Sequence, residues 1–118
     1  MTTSHATSRR TSWTNAQESD CKHASRLLEV VGQRWSASVL LALARGAARF
    51  SEVIAAVEGL SARMLTLRLK QLESAGLVSR TVIPTTPVTI DYQLTEQGFD
   101  LVESLGSISD YVRRWGPG

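Results

Sequence analysis

Apolar residues in the middle of the chain recur with the spacing of a helix. Leu65, Leu69 and Leu72 fall on one side of a helix at about 100° per residue. Ser61 is a suitable N-cap for this helix, and Gly76 is a suitable residue just beyond its C-terminus. The opposite side is predicted to point away from the core and consists of Arg63, Leu67, Lys70 and Ser74.

Beyond Gly76 the apolar residues alternate with polar ones, as they do in β-strands. Alternation runs through residues 77–83 and again through 88–94, and the turn-forming sequence PTTP separates the two stretches at 84–87. This pattern predicts a β-hairpin. A helix that leads directly into a hairpin is the order of a winged helix-turn-helix domain, in which the hairpin, or wing, lies beside the helix that reads DNA.

Upstream of Ser61 the pattern predicts three helices, at residues 24–31, 36–44 and 51–57. Ser51 is the expected N-cap of the third helix, and Leu27, Leu28 and Val31 are expected to point inward from the first. Trp35 is expected to fill the junction between the first two helices. Residues 48–50 are predicted to form a short strand that pairs with the hairpin, and a tight turn at 58–59 joins the third and fourth helices into a helix-turn-helix.

A last helix is predicted to begin after Thr95, a suitable N-cap, and to continue to about Trp115. Its apolar residues recur at alternating steps of four and three. This seam is longer than a small domain needs for its own core, so we interpret it as a dimerisation surface; the alternative is that it packs on its own chain. The seam consists of Leu101, Leu105, Ile108, Val112 and Trp115.

Charge is distributed unevenly along the chain. The net charge is only +2, but residues 21–80 carry nine Lys and Arg against four Glu, whereas residues 81–118 carry two Arg against five acidic residues. A basic middle segment favours contact with a polyanion such as nucleic acid.

Other classes of protein are disfavoured. No run of about 18 apolar residues predicts a membrane span, and residues 1–20, rich in Ser and Thr, lack the apolar stretch of a secretory signal and are predicted to form a mostly disordered tail. A single cysteine, Cys21, and two histidines are too few for an internal disulfide or the common metal sites. With no phosphate-binding loop or catalytic constellation either, we expect a cytoplasmic protein that is not an enzyme and binds no cofactor.

Several motifs resemble those of one family. They are GQRW at 32–35, RFSE at 49–52, SARMLT at 61–66, LKQLESAGLV at 69–78 and YQLTEQG at 92–98. These residues resemble the HxlR family of bacterial winged helix-turn-helix regulators, which are relatives of the MarR type. The resemblance extends over about residues 21–115.

The resemblance implies an α+β, mainly α, winged helix-turn-helix fold with a β-hairpin wing and a C-terminal dimerisation helix. Residues 21–118 would form the DNA-binding domain, with dimerisation through 21–31 and 95–115. It further implies a homodimeric transcription factor that binds double-stranded DNA at a palindromic operator, with repression as the default action.

The residues expected to contact DNA follow from the exposed side of the fourth helix and from the wing. Arg63 and Lys70 are the first candidates for base edges or adjacent phosphates, and Arg68 is expected to clamp a phosphate. The wing tip is uncharged, so its contacts would come from threonines and backbone amides. Leu67 would either pack on a thymine methyl or touch only protein. The full predicted set is Arg49, Ser61, Arg63, Thr66, Leu67, Arg68, Lys70, Arg80, Thr85 and Thr86.

Cys21 is a second candidate site. It is predicted to open the first helix with Lys22 beside it, and both a helix N-terminus and a cation favour the reactive thiolate. Members of the resembling family commonly carry a cysteine here, and some use it to sense oxidants, although Lys22 replaces the proline that often follows. Redox sensing and an inert surface thiol therefore both remain open.

Two further alternatives remain open. An apolar Leu67 and an uncharged wing would also suit a winged-helix protein-interaction module without sequence-specific DNA binding. A repressor that responds to a small-molecule effector, bound between the dimer helices and the DNA-binding core, is compatible with the main interpretation. Trp35 and Trp115 would either line such a pocket or belong to the core.

Overall fold

The computed structural model describes residues 17–116. Its elements are, in chain order, α1 (Glu18–Val31), α2 (Ser36–Ala44), α3 (Phe50–Ala56), α4 (Ala62–Ser74), β1 (Val78–Ile83), β2 (Thr89–Leu94) and α5 (Glu96–Trp115). The mainly helical fold with one antiparallel hairpin confirms the predicted winged helix-turn-helix class. Residues 1–16 of the predicted tail and residues 117–118 of the predicted domain lie outside the described residues.

The core forms where α2, α3 and α4 meet the base of the hairpin. Val39 and Leu40 of α2 and Leu65 of α4 are completely buried, and Leu77 just before β1 closes the cluster. Each such side chain stabilises the fold by about 1.5–3 kcal/mol relative to its exposed state. As predicted, Leu69 and Leu72 are buried with Leu65.

Both ends of α4 are defined by the predicted residues. The Ser61 hydroxyl accepts a hydrogen bond from the Met64 amide at 3.1 Å, and such a cap stabilises a helix by about 1 kcal/mol. Gly76 lies in the left-handed region with φ +78°. Its amide donates to the Glu73 carbonyl and the Leu77 amide donates to the Leu72 carbonyl, both at 3.0 Å, which closes the helix in a Schellman motif.

Thr95 and Gly98 fix the start of α5 against the end of α4. The Thr95 hydroxyl accepts from the Gly98 amide at 3.0 Å and donates to the Gly76 carbonyl at 2.6 Å. A Cβ at position 98 would overlap the Leu77 carbonyl oxygen, so only glycine permits this close approach. The YQLTEQG motif is therefore the joint between the wing, α4 and α5.

The first helix is longer than predicted. It begins at Glu18, with Gln17 as N-cap, rather than at residue 24, so the predicted tail cannot extend to residue 20. Glu18 and Asp20 in its first turn interact favourably with the helix dipole, which explains why a polar segment continues the helix. The prediction that Leu28 points inward is also wrong, because this side chain is 59% exposed.

The segment before α3 is not the predicted strand. Helix α3 begins at Phe50 with Arg49 as N-cap, and Ser51 lies inside it. The Glu52 carboxylate accepts hydrogen bonds from the Ala48 and Arg49 amides at 3.1 and 2.7 Å, so these amides are unavailable for a strand ladder. One backbone hydrogen bond still joins this segment to the wing, because the Tyr92 amide donates to the Ala48 carbonyl at 2.7 Å.

Among residues 17–116, no single helix is long and apolar enough to cross a membrane. Helices α1 and α2 meet that test only together, and they are bent by 83° at the break between them.

Candidate nucleic-acid interface

One side of α4 is free of contact with the core. The side chains predicted to point outward from it, Arg63, Leu67, Lys70 and Ser74, are all exposed, and Leu67 is 47% exposed. Because α4 is the second helix of the helix-turn-helix, this side is the one that such domains place in the major groove.

A cleft of about 320 Å³ separates α4 from the wing. Lys70 of α4 and Arg80 of β1 both line it, so the fold brings together two cations that lie ten residues apart in the chain. A negatively charged chain lying in this cleft would contact a basic side chain on each wall. The complete lining is Thr66, Leu69, Lys70, Glu73, Arg80 and Tyr92.

The prediction that Arg68 clamps a phosphate is wrong. Its side chain is only 7% exposed. The Nε atom donates to the Arg34 carbonyl at 2.7 Å, and Nη1 donates to Gln71 Oε1 at 2.9 Å. Arg68 therefore ties α4 to the loop between α1 and α2. The burial of Arg68 could have been predicted from the helical spacing, because Arg68 lies only about 40° from the buried Leu72 around the helix axis.

Arg49, at the edge of the interface, forms an ion pair with an acidic residue of the wing. Its Nε atom lies 3.0 Å from Asp91 Oδ1 of β2, and its side chain remains 54% exposed. The guanidinium has further N–H groups that this ion pair does not use, so a second contact to a phosphate is sterically open. Asp91 was not among the residues predicted from the sequence, since nothing local to it indicates a partner that lies 42 positions away.

The two backbone hydrogen bonds from Arg49 and Ala48 lower the pKa of the Glu52 carboxyl below its ordinary value of 4.5. Hydrogen bonding to the charged form of a carboxyl favours that form. Glu52 is thus ionised where it caps α3.

Several of the hydroxyl groups that were predicted to contact DNA already make hydrogen bonds within the protein. The Thr66 hydroxyl donates to the Ala62 carbonyl at 2.9 Å, and the Thr85 hydroxyl donates to the Pro87 carbonyl at 2.8 Å. The Thr85 hydroxyl also lies 3.1 Å from that of Thr89. Thr86 is exposed at the wing tip.

The predicted dimer seam is only partly covered. Leu101 and Leu105 are half-buried against the rest of the domain, whereas Ile108, Val112 and Trp115 are 55%, 41% and 70% exposed. The second half of α5 thus presents an apolar stripe to solvent.

An apolar groove of about 600 Å³ lies beside this stripe. Helices α1, α2 and α5 form its walls. Leu28 and Leu41 are among the lining residues and are themselves exposed. The lining is Leu28, Val31, Gly32, Ala37, Leu41, Arg45, Val102, Leu105, Gly106, Ile108 and Ser109. Neither Trp35 nor Trp115 lines it; Trp35 is half-buried against the core.

Cys21 is a free, exposed thiol. It does not open the first helix as predicted, because Glu18, Ser19 and Asp20 precede it in α1. Its amide already donates to the Gln17 carbonyl at 3.0 Å. The helix N-terminus is therefore one turn away from the thiol.

Known proteins resemble this chain in sequence and in fold. A family model described as HxlR-like helix-turn-helix matches residues 30–118. The uncharacterised HTH-type transcriptional regulator YvaP of Bacillus subtilis (strain 168) is 42% identical over 99 residues, which cover 84% of this chain and 92% of that protein.

Solved structures of transcriptional regulators share the fold. The reduced form of the transcriptional regulator YodB from B. subtilis superposes with a TM-score of 0.72 at 33% identity, covering 80% of this chain and 93% of that one. The redox regulator HypR in its reduced form gives a TM-score of 0.70 at 30% identity, covering 77% and 90%. With the exposed helix-turn-helix surface described above, these matches establish that the chain belongs to the HxlR-like helix-turn-helix family of transcriptional regulators, whose members are not enzymes.

Proposed function

We propose that this regulator binds an inverted-repeat operator in double-stranded DNA as a homodimer and represses transcription there. The observation that carries this proposal is the exposed side of α4 beside a cleft lined by Lys70 and Arg80. The cations on both walls match the charge of a phosphate backbone, and the exposed helix has the form of a major-groove reader. Such a protein acts where the operator is, in the cytoplasm.

Individual residues have distinct proposed roles. Arg63 and Lys70 contact base edges or the adjacent phosphates, Leu67 packs on a thymine methyl, and Arg80 holds the backbone from the wing. Phosphate or sugar contacts around them come from Arg49, Ser61, Thr66, Thr85 and Thr86. The Ser61 hydroxyl hydrogen is free to be donated to a phosphate, because its bond to the Met64 amide uses only a lone pair. Thr66 and Thr85 would turn their hydroxyl hydrogens from the carbonyls that now accept them to a phosphate.

Homodimer formation is supported by the apolar surface that one chain leaves exposed. Ile108, Val112 and Trp115 are exposed next to an apolar groove, and large contiguous apolar patches of this kind mark interaction sites. A twofold axis makes the same patch contact itself, with α5 and α1 of each subunit at the interface. Two α4 helices would then enter successive major grooves about 34 Å apart.

Regulation through α1 is a further part of the proposal. Cys21 is exposed and so accessible to oxidants, and HypR, a structural neighbour, is named as a redox regulator. Oxidation of Cys21 on α1 would change the dimer contacts and thereby the spacing of the two α4 helices. The apolar groove beside α5 is the place where a small-molecule effector would act on the same contacts.

A selection of bound sequences from random duplex DNA tests the proposal directly. Wild-type protein is expected to enrich an inverted repeat, and its affinity should fall steeply as salt is raised. Lys70→Ala should lose about 1–3 kcal/mol if Lys70 reads a base, or lower the salt slope by about one unit if it binds a phosphate. Arg26→Ala, which removes a cation from α1, is the matched control and should leave the enriched sequence unchanged.

The same assay with and without oxidant tests Cys21. Wild-type protein should lose or change binding on oxidation, and Cys21→Ser should not respond. If no duplex is enriched at any salt concentration, the protein-interaction alternative replaces DNA binding as the proposed function.

A further inference from the structure

Two neighbouring residues of β2 hold the segment that precedes α3. The Tyr92 amide donates to the Ala48 carbonyl at 2.7 Å, and the Asp91 carboxylate pairs with Arg49 Nε at 3.0 Å. On its other side, the same segment is bound by the Glu52 carboxylate of α3. We call this set of contacts the wing clamp.

The wing clamp joins the wing to the first helix of the helix-turn-helix. A two-stranded hairpin is marginally stable by itself, so its orientation depends on the contacts at its base. Other hydrogen-bonded attachments lie at the joint formed by Gly76, Leu77 and Thr95, at the end of α4, and Val78 and Leu94 at the base of the hairpin are buried in the core. The clamp adds an anchor away from that joint, which restricts rotation of the hairpin about it.

The clamp lies next to the cleft that would receive DNA. Tyr92, whose amide belongs to the clamp, also lines the cleft together with Lys70 and Arg80. The separation between the α4 wall and the wing wall therefore depends on how firmly β2 is held against Ala48 and Arg49.

We propose that Asp91 is a positioning residue for DNA binding: through Arg49 it holds the wing at the distance from α4 at which Lys70 and Arg80 engage the same duplex. This inference rests on the proposed function. Asp91 itself need not touch DNA, because its carboxylate and a phosphate repel each other.

Whether DNA affinity rises or falls when the Asp91 carboxylate is removed distinguishes a positioning role from charge repulsion alone. A carboxylate near the DNA lowers affinity by repulsion, so its removal raises affinity if charge is its only effect. If Asp91 positions the wing, its removal lowers affinity. Glu73 provides the control, because it is an exposed carboxylate in the same cleft and makes no side-chain hydrogen bond or ion pair within residues 17–116.

The test measures affinity for the selected operator in four proteins: wild type, Asp91→Asn, Arg49→Ala and the double variant. We expect Asp91→Asn to weaken binding about three- to fivefold when Arg49 is present, which is the range of a partly exposed ion pair. In the Arg49→Ala background the same substitution should leave affinity unchanged or raise it. Glu73→Gln should leave affinity unchanged or raise it, and Asp91→Glu should restore part of the binding lost in Asp91→Asn.

A second measurement monitors the clamp without DNA. Hydrogen exchange of the Tyr92 amide should become faster in Asp91→Asn and stay as in wild type in Glu73→Gln, while thermal melts verify that both variants are folded. An Asp91→Asn variant that binds as well as wild type or better overturns the inference, as does an equal loss with and without Arg49. If wild-type protein binds no duplex, it is the proposed function that fails, and the inference fails with it.

Discussion

At the scale of single residues, α4 has a buried side made of leucines and, at the edge of that side, a buried cation. Leu65, Leu69 and Leu72 are buried as expected because their spacing alone places them on one side of α4. Arg68 shares the edge of that side, yet its partners are the Arg34 carbonyl and Gln71. The bond to Arg34 depends on how a distant loop packs, which no local pattern encodes.

The role of Arg68 can be tested by Arg68→Lys, which keeps the charge but loses the planar fork that reaches two acceptors at once. We expect the free energy of unfolding to fall by about 1–3 kcal/mol, because a buried acceptor and a buried cation lose their partners. Chemical denaturation measures this change. The salt dependence of DNA binding should stay as in wild type.

Arg63→Lys is the matched control, since Arg63 lies on the same helix and is exposed. It should change the free energy of unfolding by less than about 0.5 kcal/mol. A folded Arg68→Gln protein with a reduced salt slope would instead show that Arg68 reaches the phosphate backbone in solution, because this substitution removes the charge.

At the scale of elements, helix ends were predictable where one residue and its near neighbours decide them. Ser61 and Gly76 at the ends of α4 and Thr95 at the start of α5 cap as expected, because their hydrogen bonds are local. The start of α3 was not predictable from the usual N-cap preferences. Arg49 is a poor N-cap by residue type, and Glu52 compensates for it by binding two amides.

The Glu52 cap predicts a pH-dependent contribution to stability. Its folded pKa is lowered below the ordinary 4.5, so the stabilisation is complete above that value and is lost as pH falls through the lowered pKa. Glu52→Gln should therefore lower the thermal midpoint near neutral pH, and the difference from wild type should shrink as the solution becomes more acidic than the ordinary value. Thermal melts by circular dichroism across that range measure the difference.

Ser51→Ala serves as the control because Ser51, the N-cap expected from the sequence, lies inside α3 and is exposed. It should melt close to wild type at every pH. If Ser51→Ala lowers the midpoint as much as Glu52→Gln does, then Ser51 caps the helix in solution and the Glu52 arrangement is not the main cap.

At the scale of the whole molecule, the sequence predicted a seam on α5 that exceeds what one domain can cover. The structure agrees that the second half of this helix is exposed, with Ile108, Val112 and Trp115 beside an apolar groove. What the sequence could not predict is the shape of that groove, to which α1 contributes Leu28 and α2 contributes Leu41. These residues come together only through the packing of three helices, and Leu28 was expected to point inward.

The proposed dimer can be tested with two apolar residues of α5 that are almost equally exposed, Ile108 at 55% and Phe99 at 53%. Ile108 lines the groove, whereas Phe99 does not. Ile108→Glu would bury an unpaired charge in the interface, and we expect the dimer dissociation constant to rise at least about 30-fold, as for a residue central to an interface. Phe99→Glu should remain dimeric in analytical ultracentrifugation.

Because a monomer loses the second half-site contact, Ile108→Glu should also bind the inverted repeat much more weakly while binding a single half-site as wild type does. Wild-type protein that sediments as a monomer at micromolar concentration would contradict the dimer, and equal effects of the two substitutions would place the interface elsewhere on α5.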